Sequence, residues 1–597
     1  MLEPSAAPEV LLRQAQVLFE KGAALDARRI CGTLLRRWGD QAEVWRLLGL
    51  LDYGDHDLRS AAEHLQRAIR LSRGADPADH ANLGLVQMAS GDRPAAMGSF
   101  RRALQLAPDH AEAQFNLAVL QERMGDLDAA LAGFERALEL DPGLPFGLGA
   151  WLQAKLAACD WAGLPVLSAQ IAQGVRAGGL VAEPHVLLRI MADEDLLQLS
   201  ARTCSAVRFP PAARPTGRRQ RNADGKIRLG YLSGEFRAHA TSALLAEVWS
   251  KHDRDAFHLI AFDNGWDDGS PMRRRVEAAF DAVVGIAHLS DAEVAQCIAD
   301  WDLDLLIDLN GAFGAHRQGV LARRPAPIQV SYLGYPGTLG APYLDYLIAD
   351  ATVLPAGRYP YYDEKIVRLP HAYQPNDTTR IVPTHGPTPG EVGLPADRFV
   401  FCCFNQAFKI TPRIFQIWMS ILTEVADSVL WLLDSNPSAR RNLRAAAAAR
   451  GIDPDRLIFA PWATPCDHLA RQRCADLFLD TLPYNAHTTA SDALWMGLPV
   501  LTRRGAGFAG RVASSLLTVL GLPELICETL EDYEACAIQL ARSPDLLRQI
   551  RETLIRNRAT SPLFDTAAFT RHLEAAFRQM HARRSSGLAP DHFDVAT

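Results

Sequence analysis

Apolar residues recur at helical spacing from the start of the chain to about residue 143, and the pattern returns on itself. Phe100, Ala103 and Pro108 come back as Phe134, Ala137 and Pro142, 34 residues further on in each case. Leu83-Gly84 and Leu117-Ala118 hold a matching small-residue position, with Trp45, Leu48 and Gly49 one unit earlier. Ala61, Leu65 and Ala68 complete that earlier unit with a one-residue offset, and a weaker unit starts near Leu11 with Ala27 in the small position. The physical reading is close helix packing: Gly or Ala lets paired helices approach, Phe or Leu fills the seam, and Pro stops the second helix. The pattern predicts about four helix pairs over residues 1–143.

A period of 34 with this order of small, large and Pro positions is that of the tetratricopeptide helix-turn-helix unit. Stacked units form a concave superhelix that holds extended protein segments, so this part reads as a partner-recognition arm. Residues 144–207 keep a helical pattern and lose the period; together with the joint that follows they read as a helical adaptor and linker, 144–225. The joint FPPAARPTGRRQRNADG is the sharpest break in composition, and a domain boundary is placed there. The arginines of GRRQR at 217–221 read as a solvated linker.

Beyond Lys226 the texture changes to short β-rich runs separated by helical patterns, which predicts α/β architecture with parallel sheets. The runs are IRLGYLSG, HLIAFDN, LLIDLNG, IQVSYLGY, LDYLIAD and KIVRLP, in a lobe over 226–375. A Pro- and Gly-rich linker at 376–395 precedes a second lobe, 396–560, with FVFCCFNQ, SVLWLLDS, LIFAPW, LFLDTLP, PVLTRRG and LICET. Two such lobes would face each other across a cleft at the carboxyl ends of their strands, where open α/β sheets bind ligands. Residues 561–582 predict an amphipathic C-terminal helix, and 583–597 a disordered tail.

Polar residues follow the strands as that rule requires. In the first lobe these are His239 with Thr241-Ser242 at a helix start, then Asp308, Asn310 and Gly311, then the PGTLG loop. In the second they are Asn405, Gln406 and Lys409 with Thr411-Pro412 opening a helix, then Asp467 and His468, and Arg511 after a Gly-rich loop. The stretch YNAHTTASDALWMG, 484–497, runs from a polar turn into an amphipathic helix. His487, Thr488 and Thr489 stand at its start, where unpaired backbone N–H groups and the helix dipole suit phosphate. Asp492 lies four residues after Thr488, on the same face, within reach of a ribose hydroxyl.

Composition narrows the field. A chain of 597 residues predicts three to five domains. A net charge of -7 with no long basic run argues against nucleic acid. The first residues, MLEPSAAPEV, lack the basic start and apolar stretch of a leader, and no apolar run reaches about eighteen residues, so a cytoplasmic protein without a membrane partner is expected. The 10 cysteines are scattered with no C-x-x-C pair, which points to reduced thiols and away from zinc.

FNQAFKI at 404–410, LWLLDS at 430–435, LFLDTLPYNAHTTASDALWMGLPVLT at 477–502, RRPAPIQVSYLGYPGTLG at 323–340 and GYLSGEFRAHATS at 230–242 resemble the protein O-linked N-acetylglucosamine transferases. The resemblance covers nearly the whole chain. It implies a tetratricopeptide superhelix followed by two Rossmann-like lobes of GT-B type. It also implies transfer of a sugar, N-acetylglucosamine from UDP-N-acetylglucosamine, to Ser or Thr of a protein held by the repeats. By the same resemblance Gln406 and Lys409 hold the donor diphosphate, with the His487, Thr488 and Thr489 helix start. Asp492 bonds the ribose, His468 lies against the uracil, and Arg511 shapes the donor site. His239 faces the sugar and the acceptor hydroxyl, and Pro336, Gly337 and Thr338 form the loop near the transferred sugar.

The chemistry suits these groups. A lysine and a helix N-terminus stabilise a departing pyrophosphate without a metal, so no cofactor is expected beyond the donor itself. A single displacement inverts the anomeric centre. His239 and Asp308 are both candidates for the base, and the sequence does not choose between them. Two positions depart from animal members: Pro465 replaces a lysine that contacts the ribose, and Tyr484 replaces a small cysteine in the sugar pocket. A ring at 484 could crowd an N-acetyl group, which leaves open a donor with another sugar. An inactive scaffold that keeps only the peptide-binding arm is the competing reading, and the oligomeric state, a homo-oligomer included, stays open.

Overall fold

Helix pairs form early in the chain because each has an apolar stripe and a small residue at the crossing, and the later three have an aspartate at a helix start. The computed structural model describes residues 7–20, 23–55, 57–216, 225–380 and 385–597. The first six residues, the GRRQR run and 381–384 of the inter-lobe joint lie outside the described residues. Four pairs stack: Pro8–Glu20 with Ala24–Trp38, Ala42–Gly54 with Leu58–Leu71, Pro77–Ala89 with Arg93–Leu106, and Ala111–Arg123 with Leu127–Leu140. Asp57, Asp92 and Asp126 each accept the backbone N–H three residues on, the N-cap arrangement that starts a helix. Gly84 shows why the crossing residue is small: a Cβ there would lie 2.6 Å from Cε1 of Phe100.

The chain divides into two units, Met1–Ala154 with His288–Ser290, and Lys155–Ala287 with Asp291–Thr597. The division falls inside the helix Gly147–Ala157. The single adaptor expected over 144–225 is therefore split: its first residues cluster with the repeats, and the helices Leu164–Arg176, Pro184–Leu187 and Glu194–Arg208 cluster with the lobes.

The larger unit holds two parallel sheets. The first contains β1 (Ile227–Ser233), β2 (Phe257–Asp263), β3 (Ala282–Gly285), β4 (Leu305–Asp308), β5 (Ile328–Ser331), β6 (Tyr346–Asp350), β7 (Lys365–Leu369) and, from the far end of the chain, β14 (Phe593–Asp594). Their order is β14-β7-β6-β5-β4-β1-β2-β3. The second contains β8 (Phe399–Cys403), β9 (Ser428–Leu433), β10 (Leu457–Ala460), β11 (Leu477–Leu479), β12 (Val500–Arg503) and β13 (Ile526–Cys527), in the order β10-β9-β8-β11-β12-β13. The central strands are buried on both faces, which is why they read as continuous apolar runs.

Four expectations need correction. β3, with the half-exposed run AVVG, was not foreseen because it lacks that apolar signature. The tail expected to be disordered supplies β14: Val595 N–H donates to the Arg368 carbonyl at 2.9 Å, Ile366 N–H to His592 Nδ1 at 2.8 Å, and Arg368 pairs with Asp594. The C-terminal helix is Thr566–Ser585, starting and ending later in the chain than the 561–582 expected, and buries Phe577 and Met580 in the first-lobe core. The start of the 376–395 linker is packed: Asn376 and Asp377 are buried, Thr566 donates to the Asn376 carbonyl at 2.7 Å, and Thr378 N–H to Glu247 at 2.7 Å. Among the described residues no helix is long and apolar enough to cross a membrane.

Candidate active site

β8 and β11 are far apart in sequence, yet they pair directly in the second sheet, Leu477 opposite Phe401 and Phe478 opposite Cys402. Their carboxyl-end loops therefore meet, and these are the loops that carry Lys409 and the 484–489 turn. Asn405 ties them together. Its Nδ2 donates to Thr481 Oγ1 at 2.8 Å, and its Oδ1 accepts from Thr489 Oγ1 at 2.6 Å.

Lys409 ends the 3-10 turn Ala407–Lys409. Its Nζ donates to the Asn485 carbonyl at 2.7 Å and sits 4.0 Å from the centre of the Tyr484 ring. Burial, with a smaller push from Arg189, lowers its pKa to about 8 against the pull of Asp480. The Tyr484 ring in turn lies 4.9 Å from that of His487, and burial raises its phenol to about 12. Lys409, Tyr484, His487 and Thr489 are thus one constellation.

His487 is the N-cap of the helix Thr488–Trp495. Its Nε2 donates to the Ala509 carbonyl at 3.1 Å, and burial followed by the Lys409 charge depresses its pKa to about 3, so the ring is neutral. Ala490 and Ser491 N–H groups close on the His487 carbonyl, which leaves the amides of Thr488 and Thr489 without an intrahelical acceptor. Asp480, just past β11, organises this turn and was not singled out by sequence reasoning. One oxygen accepts from Thr481 N–H at 2.7 Å and Ala486 N–H at 2.6 Å, the other from Thr502 Oγ1 at 2.6 Å. Burial nonetheless raises its pKa to about 6. An Asp ending an apolar strand, LFLD, is the signal that could have found it.

The remaining second-lobe candidates are placed around this centre. Gln406 is exposed at the start of the 3-10 turn. His468 packs edge-on against Phe404 at 5.2 Å, beside the same strand end, and its Nδ1 accepts from Arg471 at 2.7 Å. Burial, then the Arg471 charge, lowers it to about 4. Pro465 opens the His468 helix, Pro465–Arg471. Asp492 is engaged by Arg380, a partner the sequence did not reveal, and burial raises its pKa. Arg511 reaches across the lobes: its Nε donates to the Thr352 carbonyl at 2.7 Å and its Nη1 to that of Gly505 at 3.2 Å.

In the first lobe β1 and β4 are neighbours, so the loops carrying His239 and Asp308 also meet. Asn310 joins them by accepting from Gly234 N–H at 3.0 Å. His239 is the N-cap of the helix Ala240–Lys251, and its Nδ1 accepts from Thr241 N–H at 3.2 Å. Burial, then Arg237, lowers it to about 4, so the neutral ring carries its hydrogen on Nε2. Asp308 is buried, and its two oxygens accept from Asn310 N–H at 3.1 Å and Gly311 N–H at 3.0 Å. Desolvation raises it to about 6. The polar partners of His239 and Asp308 all lie in the first lobe.

The loop after β5 packs onto the end of β4. A Cβ on Gly334 would lie 1.9 Å from the Leu309 carbonyl oxygen, so only glycine fits. That approach places Pro336, Gly337 and Thr338 in the wall of a small cavity, with Pro483 and Gly507 from the second lobe and Met191 from the adaptor. Thr338 Oγ1 donates to the buried Glu364 at 2.7 Å, which fixes the loop. Lys409 and the 487–489 turn are not in this wall; the cavity adjoins their site through Pro483, next to Tyr484.

With that geometry in place, the glycosyl transferase family 41 model matches residues 207–386 and 387–573, and a tetratricopeptide repeat model matches 82–145. The chain belongs to glycosyl transferase family 41. Among curated proteins, it is 37% identical over 395 residues to the probable UDP-N-acetylglucosamine–peptide N-acetylglucosaminyltransferase SEC of Arabidopsis thaliana, covering 65% of this chain and 40% of that protein. It is 28% identical over 479 residues to the UDP-N-acetylglucosamine–peptide N-acetylglucosaminyltransferase of Caenorhabditis elegans, covering 62% and 42%. The chain thus spans about two-fifths of the length of these curated relatives. A solved structure of a Thermobaculum terrenum O-GlcNAc transferase mutant matches with a TM-score of 0.63 and 29% identity, over 98% of this chain and 100% of that one. Family 41 membership and this match establish the architecture: helical repeats followed by an α/β region with two parallel sheets.

Proposed function

We propose that this chain is an inverting protein O-glycosyltransferase that moves N-acetylglucosamine from UDP-N-acetylglucosamine to Ser or Thr of a protein recruited by the repeats. The observation that carries the reading is the single constellation of Lys409, Tyr484 and the amides of Thr488 and Thr489 at the joined ends of β8 and β11. A cation and a helix N-terminus converge where a pyrophosphate can gain charge as it departs, and no metal is required for that step. His468, against Phe404, supports a place for the base, and Asp492 supports a place for the ribose.

In the reaction the acceptor oxygen attacks the anomeric carbon, the bond from that carbon to the β-phosphate oxygen breaks, and its electron pair leaves with UDP. The acceptor proton passes to a departing phosphate oxygen, the group whose charge rises in the same step. His239, with Nδ1 engaged by Thr241 N–H, presents Nε2–H as a donor, and both oxygens of Asp308 are held by backbone amides. Each is thereby better suited to holding and shaping than to removing a proton. His239 then orients an oxygen of the acceptor or the sugar.

A second donor sugar is favoured by one observation, the Tyr484 ring held against Lys409 beside the expected sugar pocket. The deciding experiment incubates the purified chain with UDP-N-acetylglucosamine, other UDP-sugars and acceptor protein, and follows UDP release and mass gain on the acceptor. Transfer of an N-acetylhexosamine unit supports the first reading. Transfer of another sugar supports the second. UDP binding with neither hydrolysis nor transfer would leave only an inactive scaffold.

A further inference from the structure

The helical segment before the first lobe was expected only to join the repeats to the lobes. Its turn around Pro184–Leu187 does more, because it reaches both lobes at their strand ends. The His185 ring meets Phe313, in the loop after β4, edge-on at 5.8 Å. Four residues on, the Arg189 guanidinium lies over Phe408 at 4.1 Å from the ring centre. Phe408 is the middle residue of the turn that ends in Lys409. Leu187 and Leu188 are buried and anchor the segment, while Leu188 and Met191 line the cleft cavity.

We infer that Arg189 is a donor-binding residue, the second cation of the nucleoside-diphosphate site, which the adaptor supplies beside Lys409. The inference rests on the donor-site reading above and adds to it a residue from outside the two lobes. Arg189 is only 6% exposed. The stack on Phe408 holds the guanidinium beside the turn that ends in Lys409, and the planar fork of N–H donors an arginine carries matches phosphate oxygens. Its charge reaches the two groups that frame the site, since it lowers the pKa of both Lys409 and Tyr484. The Arg189 charge repels that of Lys409 in the unliganded protein; a diphosphate placed against both turns that repulsion into attraction. A lysine at 189 could supply the charge but not the planar fork.

The test is calorimetric titration of the full chain and its R189M and R189K variants with UDP, UMP and uridine, at two salt concentrations. R189M is expected to weaken UDP binding at least tenfold, leave uridine within twofold, and reduce the salt dependence of UDP binding. R189K is expected to recover part of the loss. R189M binding UDP within twofold of the unmodified chain would overturn the inference while leaving the donor site intact. Equal losses for UDP and uridine in both variants would also overturn it, since they would make the stack on Phe408 a packing feature alone. Failure of the unmodified chain to bind UDP would remove the donor-site reading itself, and this inference with it.

Discussion

The Lys409 ammonium donates to the main-chain carbonyl of Asn485 at 2.7 Å, so the loops after β8 and β11 are closed on each other by a positive charge. That bond puts the cation beside the first turn of the Thr488–Trp495 helix and makes it the point on which the proposed chemistry turns.

Replacing Lys409 with Ala is expected to lower transfer about 10²–10³-fold in kcat, the scale of losing one charge-stabilising donor. UDP binding should weaken as well, while the second-lobe core stays folded, as circular dichroism would show. Transfer within threefold of the unmodified chain would exclude Lys409 from charge stabilisation.

The pH dependence follows from the pKa of about 8. Only the protonated amine attracts a diphosphate, so UDP affinity should be flat below about pH 7 and fall above 8. The bound anion raises the pKa, so binding near pH 8 to 9 should take up protons, measurable from buffer-dependent heats. Asp480 and Cys403 pull the value up while Arg189 pushes it down, and Lys409→Gln should abolish the slope.

His239, at about 4, is neutral throughout the range in which such an enzyme would be assayed. His239→Ala should therefore lower kcat/KM about 10–100-fold, within the span of a lost positioning or acid–base group. It should leave the shape of the pH profile between 5 and 8 unchanged. His239→Asn, which keeps an N–H donor, should lose less. Disappearance of an acid limb near pH 6 to 7 in the Ala variant would instead make His239 the base.

Removing residues 587–597 deletes β14 and with it the Arg368–Asp594 pair and the buried Val595. Burial of one such apolar side chain and the lost backbone bonds together are worth about 2 kcal/mol. The truncated chain should melt about 2–4 °C lower for each kcal/mol lost in a lobe of this size. An unchanged melting profile would show that the strand adds nothing to the sheet.

Deleting residues 1–143 should weaken modification of a protein acceptor and spare slow donor hydrolysis, because the constellation at Lys409 is built wholly from the larger unit. Equal loss of both would contradict that division of labour. The comparison needs parallel assays of UDP release and acceptor mass on the same preparations.

The sequence by itself determined what depends on local pattern. The 34-residue return of Phe100 and Phe134 marked the helix pairs, the apolar runs marked most strands, and polar residues just past them marked the two loops that Asn405 joins. Thr411 as a helix cap, with its side chain accepting from Ile414 N–H, was readable from Thr-Pro alone. What only the tertiary structure decided depends on pairing between distant segments. β8 and β11 are neighbours because of sheet order, so Asn405 can bridge Thr481 and Thr489. Arg189 comes to Phe408, Arg380 to Asp492 and β14 to β7 across more than 100 residues each, and no periodicity encodes such meetings. Local pattern is fixed by the geometry of one helix or strand, whereas partner choice between segments is fixed by which buried surfaces and charges the whole fold brings together.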